Sequence, residues 1–474
     1  MSGNPATAVS EAARATVAAT VARARAAQNI VGSYDQQRID DVVAGIAWAI
    51  YRPDRARALA ELAVNDTGLG NVEDKVSKNR RKTMGTLRDL AAGRSVGVIE
   101  ERPEDGIVCY AKPVGVVAAV CPSTNPAATP ANKTMMALKG RNAVIISPSP
   151  KGASTCELLV EYMRAELDKV GAPSDLVQYL DEPSKELTNE LMRQADLVVV
   201  TGSQRNVRQA YSSGTPAIGV GAGNAPVIVD ESADITDAAE KIRRSKTFDN
   251  ATSCSSENSV HIHDTCYEAA IEALRAQGGY LLDSQEKQRL REVMWPEGKL
   301  SPAITAQAPE KIAALAGLDT SEARAARFFM VTEDGVGPDY PFSGEKLSVV
   351  LTVYRFTELG QCLDRVQELL DFQGAGHSCG IHTSVPAHAE RVAERLRVAR
   401  VLVNQAHCFG TGGGFDNGLG FTLTMGAGTW AGNSISDNLS YRDFLNITRL
   451  ATVIPSREPS EEQLWGRYIE RYGR

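Results

Sequence analysis

No two of the eight cysteines form a Cys-x-x-Cys pair, and no cysteine–histidine cluster has zinc spacing, so a metal site is not expected. Scattered at 109, 121, 156, 254, 266, 362, 379 and 408, the thiols fit a reducing compartment better than a disulfide framework. Positive charge is in deficit: 51 lysines and arginines against 58 acidic residues give −7, which leaves no electrostatic footprint for nucleic acid. No apolar run approaches membrane-spanning length, and the strongest, Pro113 to Cys121, is far too short. Low-complexity tracts and internal repeats are also missing. The stretch Met1 to Asn29 is rich in alanine and arginine in the manner of a transit peptide. It lacks the hydrophobic centre of a secretory signal, and Glu11 precedes its basic run, so a cytoplasmic protein is expected.

What is present is an ordinary globular composition, 43% apolar and 23% charged, over 474 residues that should divide into two or three domains. Residues 8–94 read as helices, with Ile39, Val42, Val43, Ile46 and Ile50 on one apolar face. Packing against a sheet is their expected role, and nothing in them suggests chemistry. Short β-like runs on either side of Asp105-Gly106 predict a hairpin over 95–112, either an oligomerisation arm or a plain surface hairpin. Pro113 to Cys121 reads as a buried strand that empties into Pro122-Ser123-Thr124-Asn125-Pro126, with a helix from Thr129 to Lys139 beyond. Asn125 thus stands at the carboxyl end of a strand, where open α/β sheets place ligands; asparagine before proline is equally ordinary turn chemistry.

From 143 to 229 strands and helices alternate. Strands are expected at Ala143 to Ser147, Leu176 to Leu180, Leu197 to Thr201 and, closing the set, Pro226 to Val229. Repeated βαβ units imply a parallel, doubly wound sheet. Ser147-Pro148-Ser149-Pro150 and Thr201-Gly202-Ser203 are strand-to-helix turns suited to a nucleotide phosphate. Gly219-Val220-Gly221-Ala222-Gly223-Asn224 is glycine-rich but is not G-x-G-x-x-G, and a close approach of backbone explains it equally well. A second α/β segment follows, with strands at 259–263, 327–332 and 347–354 and a further one at Val401 to Asn404. The tail carries a helix near Tyr441 to Asn446 and a charged terminal helix.

Between the two segments lies Cys254, among Thr252, Ser253, Ser255 and Ser256. Alone it reads as one more buried small hydrophobe; among polar groups and backbone donors it can become a nucleophile. Lys246-Thr247-Phe248-Asp249-Asn250 before it, Ser212 to Asn224, Glu345-Lys346-Leu347-Ser348, Gly376-His377 and Met425 to Ser434 together resemble the CoA-acylating branch of the aldehyde dehydrogenase superfamily. The resemblance implies an aldehyde dehydrogenase-like α/β fold with a Rossmann-type cofactor domain (1–94 and 113–230) and an α/β catalytic domain (231–425). A small oligomerisation element (95–112 and 426–474) completes it, with a homo-oligomer as the expected assembly.

It further implies that Cys254 is the nucleophile and that Asn125, with the Cys254 N–H, holds the oxyanion. Ser147, Pro148 and Ser149 match the adenosine-ribose stretch, Gly202 and Ser203 the pyrophosphate turn, and Glu345 the nicotinamide ribose. Pro150 and Lys151 stand where NAD-selecting enzymes carry a carboxylate, which favours NADP over NAD. Hydrolytic relatives keep a glutamate in the segment matching Gly219 to Asn224, but no carboxylate lies between Tyr211 and Val229 here. Coenzyme A, the stronger nucleophile, is then the expected acyl acceptor. His377 either assists the CoA thiol or is structural. Polar neighbours of Cys254, with Asn404, Gln405 and His407, suit an oxygen-rich or anionic aldehyde, and the chain most resembles the acylating sulfoacetaldehyde dehydrogenases. Acetaldehyde or another short aldehyde, or a non-catalytic scaffold of the same fold, are the other readings.

Overall fold

The computed structural model describes residues 9–474; the expectations for residues 1–8 lie outside the described residues. Four helices come first, Glu11–Val31, Gln36–Tyr51, Pro53–Thr67 and Val72–Ala91. Their starts are set locally. Ser10 accepts from the Ala13 N–H, Asp35 from Arg38, Asn71 from Asp74, and Pro53 opens its helix at the first turn. Ile39, Val42, Val43, Ile46 and Ile50 are all buried, as their spacing predicts. This face packs on the helices Ala128–Lys139 and Ala153–Lys169, which cover a five-stranded sheet.

That sheet is wholly parallel, in the order Val177–Tyr179, Ala143–Ser147, Val116–Val120, Leu197–Thr201, Ala217–Val220. Every residue of Val116–Val120 is buried, which explains its uninterrupted apolar run. A second parallel sheet has seven strands: Gly279–Leu281, Phe328–Thr332, Val350–Phe356, Glu257–His263, Ala225–Val229, Cys379–His382, Val401–Val403. The third is antiparallel, Gly97–Arg102 and Ile107–Pro113 forming the expected hairpin and Leu445–Ala451 adding to it from the tail.

Two expectations are corrected. The strand at Pro226 to Val229 does not close the first sheet: it pairs with Glu257–His263 and Cys379–His382 in the second. The chain therefore crosses between sheets at 221–224 and not at 230. An apolar parallel strand looks the same in either sheet, so periodicity carries no label of membership. The tail forms only a 3-10 turn at Tyr441–Phe444 before it becomes a strand. The strands Ala217–Val220, Gly279–Leu281 and Cys379–His382 were not foreseen, being short and glycine-containing. Among the described residues no helix is long and apolar enough to cross a membrane.

Candidate active site

The carboxyl ends of the first sheet face the amino end of the central strand Glu257–His263 of the second, and a cavity of about 320 Å³ lies between them. Cys254 is placed there by the turn before Glu257–His263, and Asn125 by the loop after Val116–Val120. Glu345 reaches the cavity from the segment before Val350–Phe356. Gly202 and Ser203 line it too and continue into an adjoining cavity of about 340 Å³ walled by Ser147, Pro148, Ser149 and Lys185. The fold thus brings Cys254, Asn125, Glu345 and the five residues expected at the dinucleotide to two adjoining cavities, across separations of more than 200 positions.

The chain reaches Cys254 through an unusual turn. Asp249, Asn250 and Ala251 have φ of 51°, 51° and 59°, a left-handed run without glycine that costs roughly 1–2 kcal/mol per residue. Buried side chains hold it. Asp249 accepts from the Asn71 N–H at 2.9 Å, from Lys75 Nζ at 3.0 Å, from Lys78 Nζ at 2.5 Å and from Thr252 Oγ1 at 2.8 Å. Its own N–H donates to Asp74 at 2.7 Å. Burial raises the Asp249 pKa, but Lys78 and Lys75 outweigh burial and hold the carboxyl below its usual range. The helix read as packing alone thus supplies cations to the site, and Lys78 also donates to Asn125 Oδ1 at 2.7 Å.

Cys254 Sγ lies 3.3 Å from His377 Nε2. Burial, with Glu345 adding, pushes the thiol up to about 12, against a smaller pull from Arg400 and Lys78. Burial, aided by Arg400, pushes His377 down to about 3. Burial therefore holds the pair as neutral thiol and neutral imidazole. His377 Nδ1 lies 2.6 Å from Ser378 Oγ; with Nδ1–H donating there, Nε2 is left as the acceptor facing sulfur. His377 was visible in the sequence, but its distance from Cys254 was not.

The loop Gly221–Asn224 is a close approach. A Cβ on Gly223 would lie 2.5 Å from the Cys254 carbonyl oxygen and 3.1 Å from its Cβ. The Gly223 N–H donates to Glu345 Oε1 at 3.1 Å, so a carboxyl reaches this loop from elsewhere in the chain. Burial raises Glu345 to about 8, the Gly223 N–H and two lysines opposing it. Largely protonated at neutral pH and engaged with Gly223, it is a poor base for water.

Of the polar groups expected around the substrate, Thr252 and Ser253 line the cavity. The others are occupied structurally. Ser255 pairs with Ser253 at 2.7 Å, Ser256 donates to Ser245 at 3.5 Å, and His407 pairs with the Ser255 carbonyl at 2.7 Å. Asn404 donates to Thr383 at 2.8 Å, and Gln405 accepts from Asn417 at 2.7 Å. Short polar side chains near backbone satisfy it first, which sequence proximity to a nucleophile does not reveal.

The residues present fit a dinucleotide. Gly202, at φ 151°, leaves open space where a Cβ would meet only Pro122 at 3.8 Å, beside Ser203, which caps the helix Gln204–Tyr211. A half-buried thiol between two parallel α/β sheets, with this second cavity adjoining, is an arrangement suited to a dinucleotide-dependent dehydrogenase. Comparison with known proteins narrows the class. The aldehyde dehydrogenase family profile matches residues 1–319. The chain is 57% identical over 465 residues to the acylating sulfoacetaldehyde dehydrogenase of Cupriavidus necator, covering 98% of this chain and 94% of that one. It is 42% identical to the acylating sulfoacetaldehyde dehydrogenase of Bilophila wadsworthia, over 97% and 100% of the two chains. An acetylating aldehyde dehydrogenase from Geobacillus thermoglucosidasius superposes with a TM-score of 0.91 at 34% identity, covering 96% of this chain and 100% of that one. The chain belongs to the aldehyde dehydrogenase family, within the branch of its acylating members.

Proposed function

We propose that this protein interconverts sulfoacetaldehyde and sulfoacetyl-CoA with a nicotinamide dinucleotide, through a thioester on Cys254. The observation that carries the reading is the 3.3 Å approach of Cys254 Sγ to His377 Nε2 beside the cavity that Asn125 lines. As sulfur adds to the aldehyde carbon, its proton passes to Nε2. No charge need stand on the pair before the aldehyde is attacked, since burial disfavours both thiolate and imidazolium. The developing alkoxide is held by Asn125 Nδ2 and the Cys254 N–H, donors of this kind contributing roughly 3 kcal/mol each. The nicotinamide, when bound, takes the hydride. Burial then favours release of the His377 proton to solvent, the one proton the overall reaction gives up. The neutral ring accepts the proton of the CoA thiol as that thiol attacks the thioester and passes it to the departing Cys254 sulfur.

The sulfonate is supported by chemistry beside the close relatives. Thr252 and Ser253 give the cavity a polar wall, the Thr252 hydroxyl being committed to Asp249 and the Ser253 hydroxyl paired with Ser255. Lys75 and Lys78 share the Asp249 carboxylate behind the cavity wall that Asn125 and Thr252 form. Arg81 and Lys82 follow on the same helix, Arg81 over the Phe409 ring at 5.1 Å and Lys82 donating to the Gly412 carbonyl at 2.6 Å. In a chain of net charge −7, Lys75, Lys78 and Arg81 put positive charge near the site, favourable to an anionic aldehyde, while burial pushes Lys82 down to about 7. NADP is the favoured dinucleotide, because Lys185 and no carboxylate lines the adjoining cavity. The exposed edge strand Leu445–Ala451 supports a role for the hairpin sheet in a homo-oligomer, and eight free thiols suit the cytoplasm.

Nicotinamide reduction measured with and without CoA, on sulfoacetaldehyde, succinate semialdehyde and acetaldehyde, tests the reading. Sulfoacetaldehyde should give the highest kcat/KM, and only with CoA. Full turnover without CoA, or an equal rate on acetaldehyde, would overturn it.

A further inference from the structure

Lys78 stands at the junction of three elements that have no covalent reason to keep their spacing. It belongs to the helix Val72–Ala91, Asn125 to the loop after Val116–Val120, and Asp249 and Thr252 to the strained turn before Cys254. Its Nζ lies 2.7 Å from Asn125 Oδ1, 2.5 Å from Asp249 Oδ2 and 2.9 Å from Thr252 Oγ1. An ammonium has three protons and no lone pair, so these contacts use every donor it has. Lys78 is 6% exposed, which leaves water little access to replace it.

The consequence falls on Asn125. The two ends of a carboxamide are nearly alike in shape, and Asn125 is half-buried with no other close partner. Its Nδ2 has only Thr124 Oγ1, at a long 3.5 Å. A group that can only donate must face the oxygen end. Lys78 therefore fixes which end is Oδ1 and leaves Nδ2–H unspent to donate into the cavity. Charge on the donor also draws electron density from the amide, which strengthens the N–H as a donor in a site shielded from water.

We infer that Lys78 is a positioning residue that orients and polarises the Asn125 amide toward the oxyanion. The inference rests on the reading of Asn125 as oxyanion donor. It assigns Lys78 no direct contact with substrate: its chief effect on kcat passes through Asn125. Lys75, which also pairs with Asp249, donates to the Thr124 carbonyl at 3.1 Å and makes no bond to the Asn125 side chain. It supplies the matched comparison, since replacing either lysine takes one ammonium from the same carboxylate.

The test is a double-mutant cycle of Lys78→Met and Asn125→Ala, read as kcat and aldehyde KM separately. Each single variant should lose roughly 100-fold in kcat with KM changed much less, the size expected for one oxyanion donor. The double variant should be no slower than Asn125→Ala alone, and Lys75→Met should lose less than Lys78→Met. If the losses multiply in the double variant, or if Lys75→Met matches Lys78→Met, Lys78 acts by supporting the turn and the inference is overturned. If Asn125→Ala keeps full kcat, the oxyanion reading beneath it fails as well, so the two failures are distinguishable. Should Lys78→Met not fold, Lys78→Gln, which keeps a neutral hydrogen-bonding group beside Asp249, carries the same cycle with the same expectations.

Discussion

Cys254 and Glu345 share a cavity, and their titrations oppose each other. With the thiol at about 12, thiolate is scarce at neutral pH, so alkylation by iodoacetamide should be slow and should rise about tenfold per pH unit between 7 and 9. A rate flat across that range would show a preformed thiolate and remove the neutral-pair mechanism. Glu345 becomes anionic as pH passes about 8 and then raises the thiol further. Glu345→Gln should therefore alkylate faster than wild type, with the gap opening above pH 8. The same burial gives a stability prediction of fixed sign. Because the folded pKa lies above the ordinary 4.5, the stability linked to this carboxyl is complete below 4.5 and drains away as pH climbs to about 8. Denaturant melts of wild type and Glu345→Gln should diverge across that window in favour of the variant.

At the scale of elements, the turn that carries the nucleophile depends on partners far away in sequence. Asp249→Ala would leave two ammonium groups at the site without their carboxylate and release a left-handed run of three residues. Breaking buried pairs of this kind costs about 3–5 kcal/mol, so its urea midpoint should fall sharply. Gly223→Ala is a local counterpart. The added Cβ meets the backbone of Cys254, not the end of a flexible side chain. A stability loss of about 1–3 kcal/mol is expected, with kcat falling because the nucleophile itself must shift. Unchanged kinetics in Gly223→Ala would mean the loop yields without moving Cys254.

Across the whole molecule, function depends on two sheets meeting end to end across one cavity. Lys185, on the helix Lys185–Gln194, lines the adjoining cavity, and the proposed preference for NADP assigns it the 2′-phosphate that separates the two dinucleotides. Lys185→Ala should raise KM for NADP severalfold while KM for NAD holds, measured in the CoA-dependent assay. A parallel rise for both would assign the lysine to the shared part of the cofactor. The hairpin sheet lies apart from this chemistry, with the edge strand Leu445–Ala451 exposed.

What the sequence determined by itself was local. The apolar face of Gln36–Tyr51, the fully buried run Val116–Val120 and the motif leading to Cys254 are each written within a few neighbouring residues, and each keeps its meaning wherever the segment lies. Tertiary structure alone decided the rest. Ala225–Val229 joined the second sheet because hydrogen bonding, not hydrophobicity, selects a neighbour. Lys78 met Asp249 from 171 residues away, and His377 met Cys254 from 123. Such pairings are properties of a closed fold, because charge and hydrogen bonding act over ångströms and the chain's order does not record which groups will stand that close.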